Sequence, residues 1–122
     1  MKKRILIIED NPDERLIQRT ILESAGYEVL ESDNAKDGVD LAAKERPDLI
    51  LMDIRLPYKK KGIGAAKTLR KKEETRDIPI IFVSAYSIWE HAKEVDNIAD
   101  CGYLNKSYDR HTLLKYIERF LD

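Results

Sequence analysis

Short apolar runs alternate with stretches of helical periodicity along the whole chain. The apolar runs predict five strands, at residues 4–9, 27–31, 48–53, 78–84 and 102–105. Periodicity and end signals predict five helices, the first from Asn11-Pro12 to about Gly26 and the others at about residues 35–45, 64–74, 88–98 and 110–121. Apolar strands between amphipathic helices are typical of a parallel sheet covered on both faces. The pattern therefore predicts an α/β fold, a doubly wound five-stranded parallel sheet with five helices.

The length and composition of the chain fit one domain and exclude several classes of protein. The formal net charge of −1 over 122 residues gives no general attraction for nucleic acid or anionic lipid. No apolar stretch approaches the roughly 20 residues of a membrane helix, and the run after the basic start is too short for a secretory signal. A single cysteine cannot form an internal disulfide. We therefore expect one cytoplasmic domain over residues 1–122 that binds neither membrane nor nucleic acid directly.

Polar residues follow four of the apolar runs. They are Glu9, Asp10, Asp53, Ser84 and Lys106. Because ligands of doubly wound sheets bind beyond the carboxyl ends of the strands, we expect these side chains to surround one point. Two like charges 4 Å apart cost about 4 kcal/mol at an effective dielectric near 20, so three carboxylates there call for a cation. Oxygen ligands favour Mg²⁺ or Mn²⁺ as that cation.

The remaining metal-binding residue types do not indicate a zinc site. His91, His111 and Cys101 lie away from the predicted edge and lack the spacing of zinc ligands.

The residues at the strand ends have the chemistry needed for phosphoryl transfer. Asp53 can act as a nucleophile and form an acyl phosphate. Lys106 would contribute positive charge to one phosphoryl oxygen, and Ser84 would donate its hydroxyl to another. The sequence therefore favours transfer of a phosphoryl group to a carboxylate in the presence of a divalent cation.

Four segments, in order and at proper spacing, resemble the receiver domain of two-component response regulators. Residues 7–11 resemble the acidic pair after the first strand of that family, and residues 47–57 resemble the segment around its phosphoacceptor aspartate. Residues 80–86 resemble its hydroxyl-bearing fourth strand, and residues 102–106 its lysine-bearing fifth strand. The resemblance covers essentially the full length of the chain. It implies the flavodoxin-like strand order 2-1-3-4-5.

This resemblance implies a role for each acidic residue of the site. Asp53 would be the phosphoacceptor. A magnesium ion (or Mn²⁺) would be held by Asp10, Asp53 and the backbone carbonyl of Arg55, with Glu9 acting mostly through water.

The resemblance also implies roles for the residues that contact the phosphoryl group. Ser84 and Lys106 would both contact it, and Tyr103 would swing inward when Ser84 moves towards the phosphate. Simple packing of Tyr103 remains an alternative to this switch. The family usually has a proline after the lysine, joined by a cis bond, whereas this chain has Ser107. Because a cis bond before a non-proline residue costs about 2.5–4 kcal/mol, we expect a trans bond and a Lys106 ammonium farther from Asp53.

The function implied is that of a phosphorylation-dependent signalling domain. Such a domain is not an enzyme, although it assists its own phosphorylation and dephosphorylation. Its phosphodonor would be a histidine kinase or a histidine phosphotransfer protein. The phosphorylated form would bind a downstream protein through the fourth helix, the fifth strand and the fifth helix.

Other classes of protein share parts of this pattern. A structural interaction module with the same fold, never phosphorylated, stays open. A phosphatase of the haloacid dehalogenase type needs a second acid two residues after its nucleophile, where this chain has Arg55. A dinucleotide-binding domain would need a Gly-x-Gly-x-x-Gly turn, which the sequence lacks.

Overall fold

Five strands and five helical segments alternate along the described part of the chain. The computed structural model describes residues 2–54, 61–85 and 92–121. The strands are β1 (Arg4–Ile8), β2 (Glu28–Ser32), β3 (Leu49–Asp53), β4 (Ile80–Ser84) and β5 (Cys101–Asn105). The helices are α1 (Pro12–Ser24), α2 (Ala35–Glu45), α3 (Lys61–Lys71), α4 (Ala92–Asp96) and α5 (Arg110–Leu121).

All the strands are parallel and form one sheet in the order β2-β1-β3-β4-β5. The chain reverses its direction of winding at β1, so that β1 and β3 are neighbours at the topological switch point. In their register, Ile8 of β1 lies opposite Met52 of β3. The residues that follow these two positions therefore emerge side by side at the carboxyl edge. The predicted fold class and strand order are confirmed.

Both faces of the sheet are buried under helices, as the continuous apolar strands require. Alternate strand residues point to opposite faces, so Leu6 and Ile8 pack on one side and Ile5 and Ile7 on the other. The first side is covered by buried residues of α2, α3 and α4, and the second by buried residues of α1 and α5. These two layers fix the strands and hold their carboxyl ends at one edge.

Asparagine caps define the start of α1 and α2. The Asn11 side chain accepts hydrogen bonds from the backbone N–H of Asp13 and Glu14, at 2.9 and 3.1 Å. Pro12 occupies the first helical position, where its missing N–H is not needed. The side chain of Asn34 caps α2 in the same way, accepting from the N–H of Asp37 at 2.8 Å.

Two predicted helices have different bounds in the structure. The predicted helix at 64–74 lies at Lys61–Lys71, and Leu69 O accepts from Thr75 Oγ1 at 2.7 Å in the turns that follow it. The helix predicted at about 88–98 is described only as the short segment Ala92–Asp96, and residues 86–91 lie outside the described part of the chain. The prediction of five full helices is therefore corrected to four helices of 11–13 residues and one short segment among the described residues.

No helix in the described part of the chain combines the length and the apolar character needed to cross a membrane.

Candidate functional site

Three carboxylates lie together at the carboxyl edge of β1 and β3. Glu9 and Asp10 directly follow β1, and Asp53 is the last residue of β3. One carboxylate oxygen from each of the three lies within 4.8 Å of the others. This all-oxygen set has the donor chemistry that Mg²⁺ or Mn²⁺ prefers, and the three residues could hold such an ion. The backbone carbonyl of Arg55, predicted as a further ligand, lies outside the described residues.

The surroundings of Glu9 favour its neutral form. Its side chain is 1% exposed, and Asp53 beside it is also buried, whereas Asp10 is exposed. Burial and the negative charge of Asp53 raise the pKa of Glu9 to about 8, against the opposing effects of Lys106 and the Asn11 N–H. A bound divalent cation would favour the ionised form instead. Without such an ion, Lys106 offsets the effect of Asp53 and burial only in part, and the pKa of Glu9 stays raised.

The start of α1 holds Glu9 in place. The backbone N–H of Asn11 donates to Glu9 Oε2 at 3.3 Å, and Arg15 Nη1 donates to the Glu9 carbonyl at 2.8 Å. Arg15 also lies 3.5 Å from a carboxylate oxygen of Glu31 on β2, so its guanidinium links α1 to the sheet. Sequence reasoning missed these supporting contacts, because only the cap and the acids of the first turn carry a local signal.

Lys106 brings its ammonium group into the carboxylate cluster. Its Nζ lies 3.0 Å from Glu9 Oε1 and 3.3 Å from Asp53 Oδ2, and it also forms an ion pair with Glu14 Oε2. Burial alone lowers the pKa of Lys106, but the carboxylates of Glu14, Glu9 and Asp53 outweigh it and raise the pKa above its usual value. The lysine therefore stays charged beside the phosphoacceptor candidate.

The expected displacement of Lys106 is wrong. The described residues contain no cis peptide bond, so the Lys106–Ser107 bond is trans, as predicted. The ammonium nevertheless lies within reach of Asp53, because a lysine side chain has four rotatable carbon–carbon bonds and the carboxylates attract it. The route of the backbone after Lys106 is fixed by hydrogen bonds of Asn105, whose side chain accepts from the Ser107 N–H at 2.8 Å.

Ser84 and Tyr103 lie on the two neighbouring strands at the end of the sheet. Ser84 is buried at the end of β4, where its carbonyl accepts from the Lys106 N–H at 2.8 Å. Tyr103 lies opposite Phe82 on β5, half-buried against the core under α3 and α4, and its N–H donates to Tyr116 Oη at 3.1 Å. This position is compatible with packing and with movement, so the switch remains a prediction.

Glu14 is the charged residue near the site that sequence reasoning missed. Its position in the first turn of α1 places it at the positive end of the helix dipole. Its ion pair with Lys106 joins residues 92 positions apart in sequence, between α1 and the loop after β5. No local pattern signals such a contact. Only the tertiary arrangement of the two segments reveals it.

Comparison with known proteins assigns this arrangement to a family of domains. Residues 5–118 match the family described as the response regulator receiver domain. The chain is 39% identical to the protein PilH of Pseudomonas aeruginosa over 123 aligned residues, which cover 97% of each chain.

Two solved structures are similar over almost the whole chain. The receiver domain of the sensor histidine kinase PA1611 of P. aeruginosa, with magnesium in its active-site cleft, is 30% identical, with a TM-score of 0.89 and coverage of 99% of this chain and 98% of that one. The chemotaxis response regulator CheY4 of Vibrio cholerae is 26% identical, with a TM-score of 0.90 and coverage of 99% and 100%.

Proposed function

This chain belongs to the response regulator receiver family, and from that premise we propose that Asp53 accepts a phosphoryl group in a reaction that requires a divalent cation. One observation carries the proposal. The Asp53 carboxylate lies within a cluster of three acids and 3.3 Å from a lysine ammonium, at the switch point of a doubly wound sheet. A nucleophile, a cation site and a fixed positive charge therefore converge on one point.

The proposed reaction transfers a phosphoryl group from a donor to a carboxylate oxygen of Asp53. An oxygen of Asp53 attacks the phosphorus atom, and the bond from phosphorus to the leaving atom of the donor breaks as the acyl phosphate forms. If the donor is a phosphohistidine, the leaving imidazole takes up a proton, and if it is acetyl phosphate, acetate leaves as the anion. The phosphodonor in the cell would be a histidine kinase or a histidine phosphotransfer protein.

Lys106 and Ser84 would stabilise the charge of the transferred group. The ammonium of Lys106 already lies beside Asp53, so it needs little reorganisation to contact a phosphoryl oxygen. Ser84 ends the neighbouring strand, and a hydroxyl there can donate to a second oxygen. Such fixed donors lower the barrier because they are oriented before the charge develops.

The cation would be held by Asp10 and Asp53, with Glu9 acting mostly through water. When bound, Mg²⁺ supplies positive charge that offsets the carboxylates and the incoming phosphoryl oxygens. The fit rests on the three clustered oxygens and on the burial of Glu9 beside Asp53, which raises the pKa of Glu9 when no cation is bound. Magnesium in the cleft of the similar PA1611 receiver supports this choice of ion.

We also propose that the output of the domain is a change in binding to another protein. Phosphorylation would shift a two-state equilibrium, with Ser84 and Tyr103 as the relay and the face of α4, β5 and α5 as the contact surface. The near-neutral net charge of −1 supports a protein partner over nucleic acid.

The experiment measures the intact mass of the protein after incubation with acetyl phosphate. With Mg²⁺ the mass should rise by one phosphoryl group, and with a chelator it should not. The variant Asp53→Asn should stay unmodified, because the amide is not a nucleophile of this kind. Equal modification of the wild type and the variant would contradict the proposal. A wild-type protein that stays unmodified would favour the structural interaction module.

A further inference from the structure

The Lys106 ammonium makes a third ion pair that the proposed reaction does not use. Besides Glu9 and Asp53, it contacts Oε2 of Glu14, which comes from the first turn of α1. Glu14 does not belong to the group of three carboxylates that could hold a cation. Its Oε2 atom is buried, so the contact with the ammonium is made away from solvent.

An ammonium group has three N–H donors and no acceptor, which limits what Lys106 can bind at once. In this structure three carboxylates face those donors. A phosphoryl oxygen that approaches Lys106 must therefore compete with these carboxylates for the ammonium. The order in which the three would leave follows from how each is held.

Glu14 is the carboxylate that can leave at the lowest cost. Its side chain is 40% exposed, so the carboxylate can turn out and regain water. The side chains of Glu9 and Asp53 are 1% and 9% exposed, and neither can reach solvent without opening the site.

We propose that Glu14 is a positioning residue that holds the Lys106 ammonium in the resting state and yields it to a phosphoryl oxygen. This inference rests on the proposed phosphorylation of Asp53. Glu14 thereby opposes phosphorylation, because the transition state must break its ion pair with the lysine. Its negative charge also repels an anionic phosphodonor that approaches the cleft.

The experiment compares Glu14→Gln with Asp13→Asn as a matched control. Asp13 is also an acid in the first turn of α1, and its side chain forms no ion pair with Lys106. The initial rate of labelling is measured over a range of acetyl phosphate concentrations with Mg²⁺. Glu14→Gln should raise the maximal rate about fivefold, the scale allowed by a partly exposed ion pair. Asp13→Asn should leave the maximal rate unchanged, since it removes a charge without releasing the lysine.

A second measurement does not depend on phosphorylation. The NMR signals of the Lys106 side chain are recorded without Mg²⁺ or phosphodonor in the wild type and both variants. They should shift in Glu14→Gln and stay in place in Asp13→Asn. If no protein is labelled but the signals shift as expected, the proposed function fails while the ion pair stands. If labelling occurs but Glu14→Gln is no faster than the wild type, or the control is equally fast, the role of Glu14 is overturned.

Discussion

Gly62 lies where the start of α3 passes directly over the end of β3. A Cβ atom at this position would lie 2.1 Å from the carbonyl oxygen of Asp53 and 2.8 Å from Cα of Ile54. The Gly62 N–H also donates to the Ile54 carbonyl at 2.7 Å, which fixes this close approach. The glycine therefore sets the position of the backbone that carries the phosphoacceptor candidate.

We predict that Gly62→Ala lowers the free energy of unfolding by about 2 kcal/mol, because backbone must move to admit the methyl group. Gly64→Ala is the matched control on the same helix. No atom lies within 4 Å of a Cβ there, so it should raise the free energy of unfolding by about 0.5–1 kcal/mol. Denaturant unfolding of both variants checks this. Equal effects of the two substitutions would show that Asp53 is not crowded by α3.

The raised pKa of Glu9 predicts a pH dependence of stability in the metal-free protein. The folded carboxyl keeps its proton up to about pH 8, while the unfolded carboxyl loses it near 4.5. The folded state therefore binds more protons between these values, and stability that is full below pH 4.5 is lost as the pH rises towards 8. The slope from this one group is at most about 1.4 kcal/mol per pH unit.

Unfolding in the presence of a chelator, at several pH values between 5 and 8, measures this slope. Glu9→Gln removes the titrating group while keeping its size, so the variant should show a flatter dependence. Lys106, which also faces Glu9, stays charged throughout this window because the neighbouring carboxylates raise its pKa. The same slope in wild type and variant would contradict the assignment to Glu9.

At the scale of elements, the stability of the first turn of α1 affects the position of Glu9 in the acidic cluster. Asn11 caps the helix through its side chain and donates its backbone N–H to Glu9. Arg15, one turn later, donates to the Glu9 carbonyl. Fraying of this first turn should therefore disturb the acidic cluster, whereas fraying of α2 should not.

We predict that Asn11→Ala and Asn34→Ala each lower the free energy of unfolding by about 1 kcal/mol, because each removes a helix cap. Only Asn11→Ala should weaken Mg²⁺ binding, by severalfold, since of the two capping residues Asn11 is the one that also donates to the Glu9 side chain. Chemical unfolding and calorimetric titration with Mg²⁺ provide the two measurements. If Asn34→Ala weakens Mg²⁺ binding equally, the effect reflects general stability and not the support of Glu9 by α1.

Local signals predicted most of the elements, and their failures have physical causes. The cap at Asn11, the buried strands and the start of α2 follow from short-range rules, and the structure agrees with them. α3 ends at Lys71 and not at 74, and just beyond its end Thr75 Oγ1 donates to Leu69 O, a side-chain contact that no periodic pattern signals. Of the helix predicted at about 88–98, the described part ends at Asp96, and residues 86–91 lie outside the described residues.

At the scale of the whole molecule, topology determined how much of the site could be predicted. The order of the strands brings the ends of β1, β3, β4 and β5 to one edge, so the residues at those ends could be grouped from sequence alone. The side-chain contacts between these residues could not be predicted from the sequence. The ion pair of Glu14 with Lys106 and the short distance from Lys106 to Asp53 depend on how α1 and the loop after β5 pack together.

The central claim is that Asp53, and no other carboxylate, becomes an acyl phosphate. Borohydride reduces an acyl phosphate to an alcohol and would convert phosphorylated Asp53 to homoserine, which peptide mass mapping detects. After incubation with acetyl phosphate and Mg²⁺, we predict homoserine at position 53 alone, and none when Mg²⁺ is chelated. Homoserine at position 10, the corresponding alcohol 5-hydroxynorvaline at position 9, or no reduced residue at all in the presence of Mg²⁺ would contradict the account.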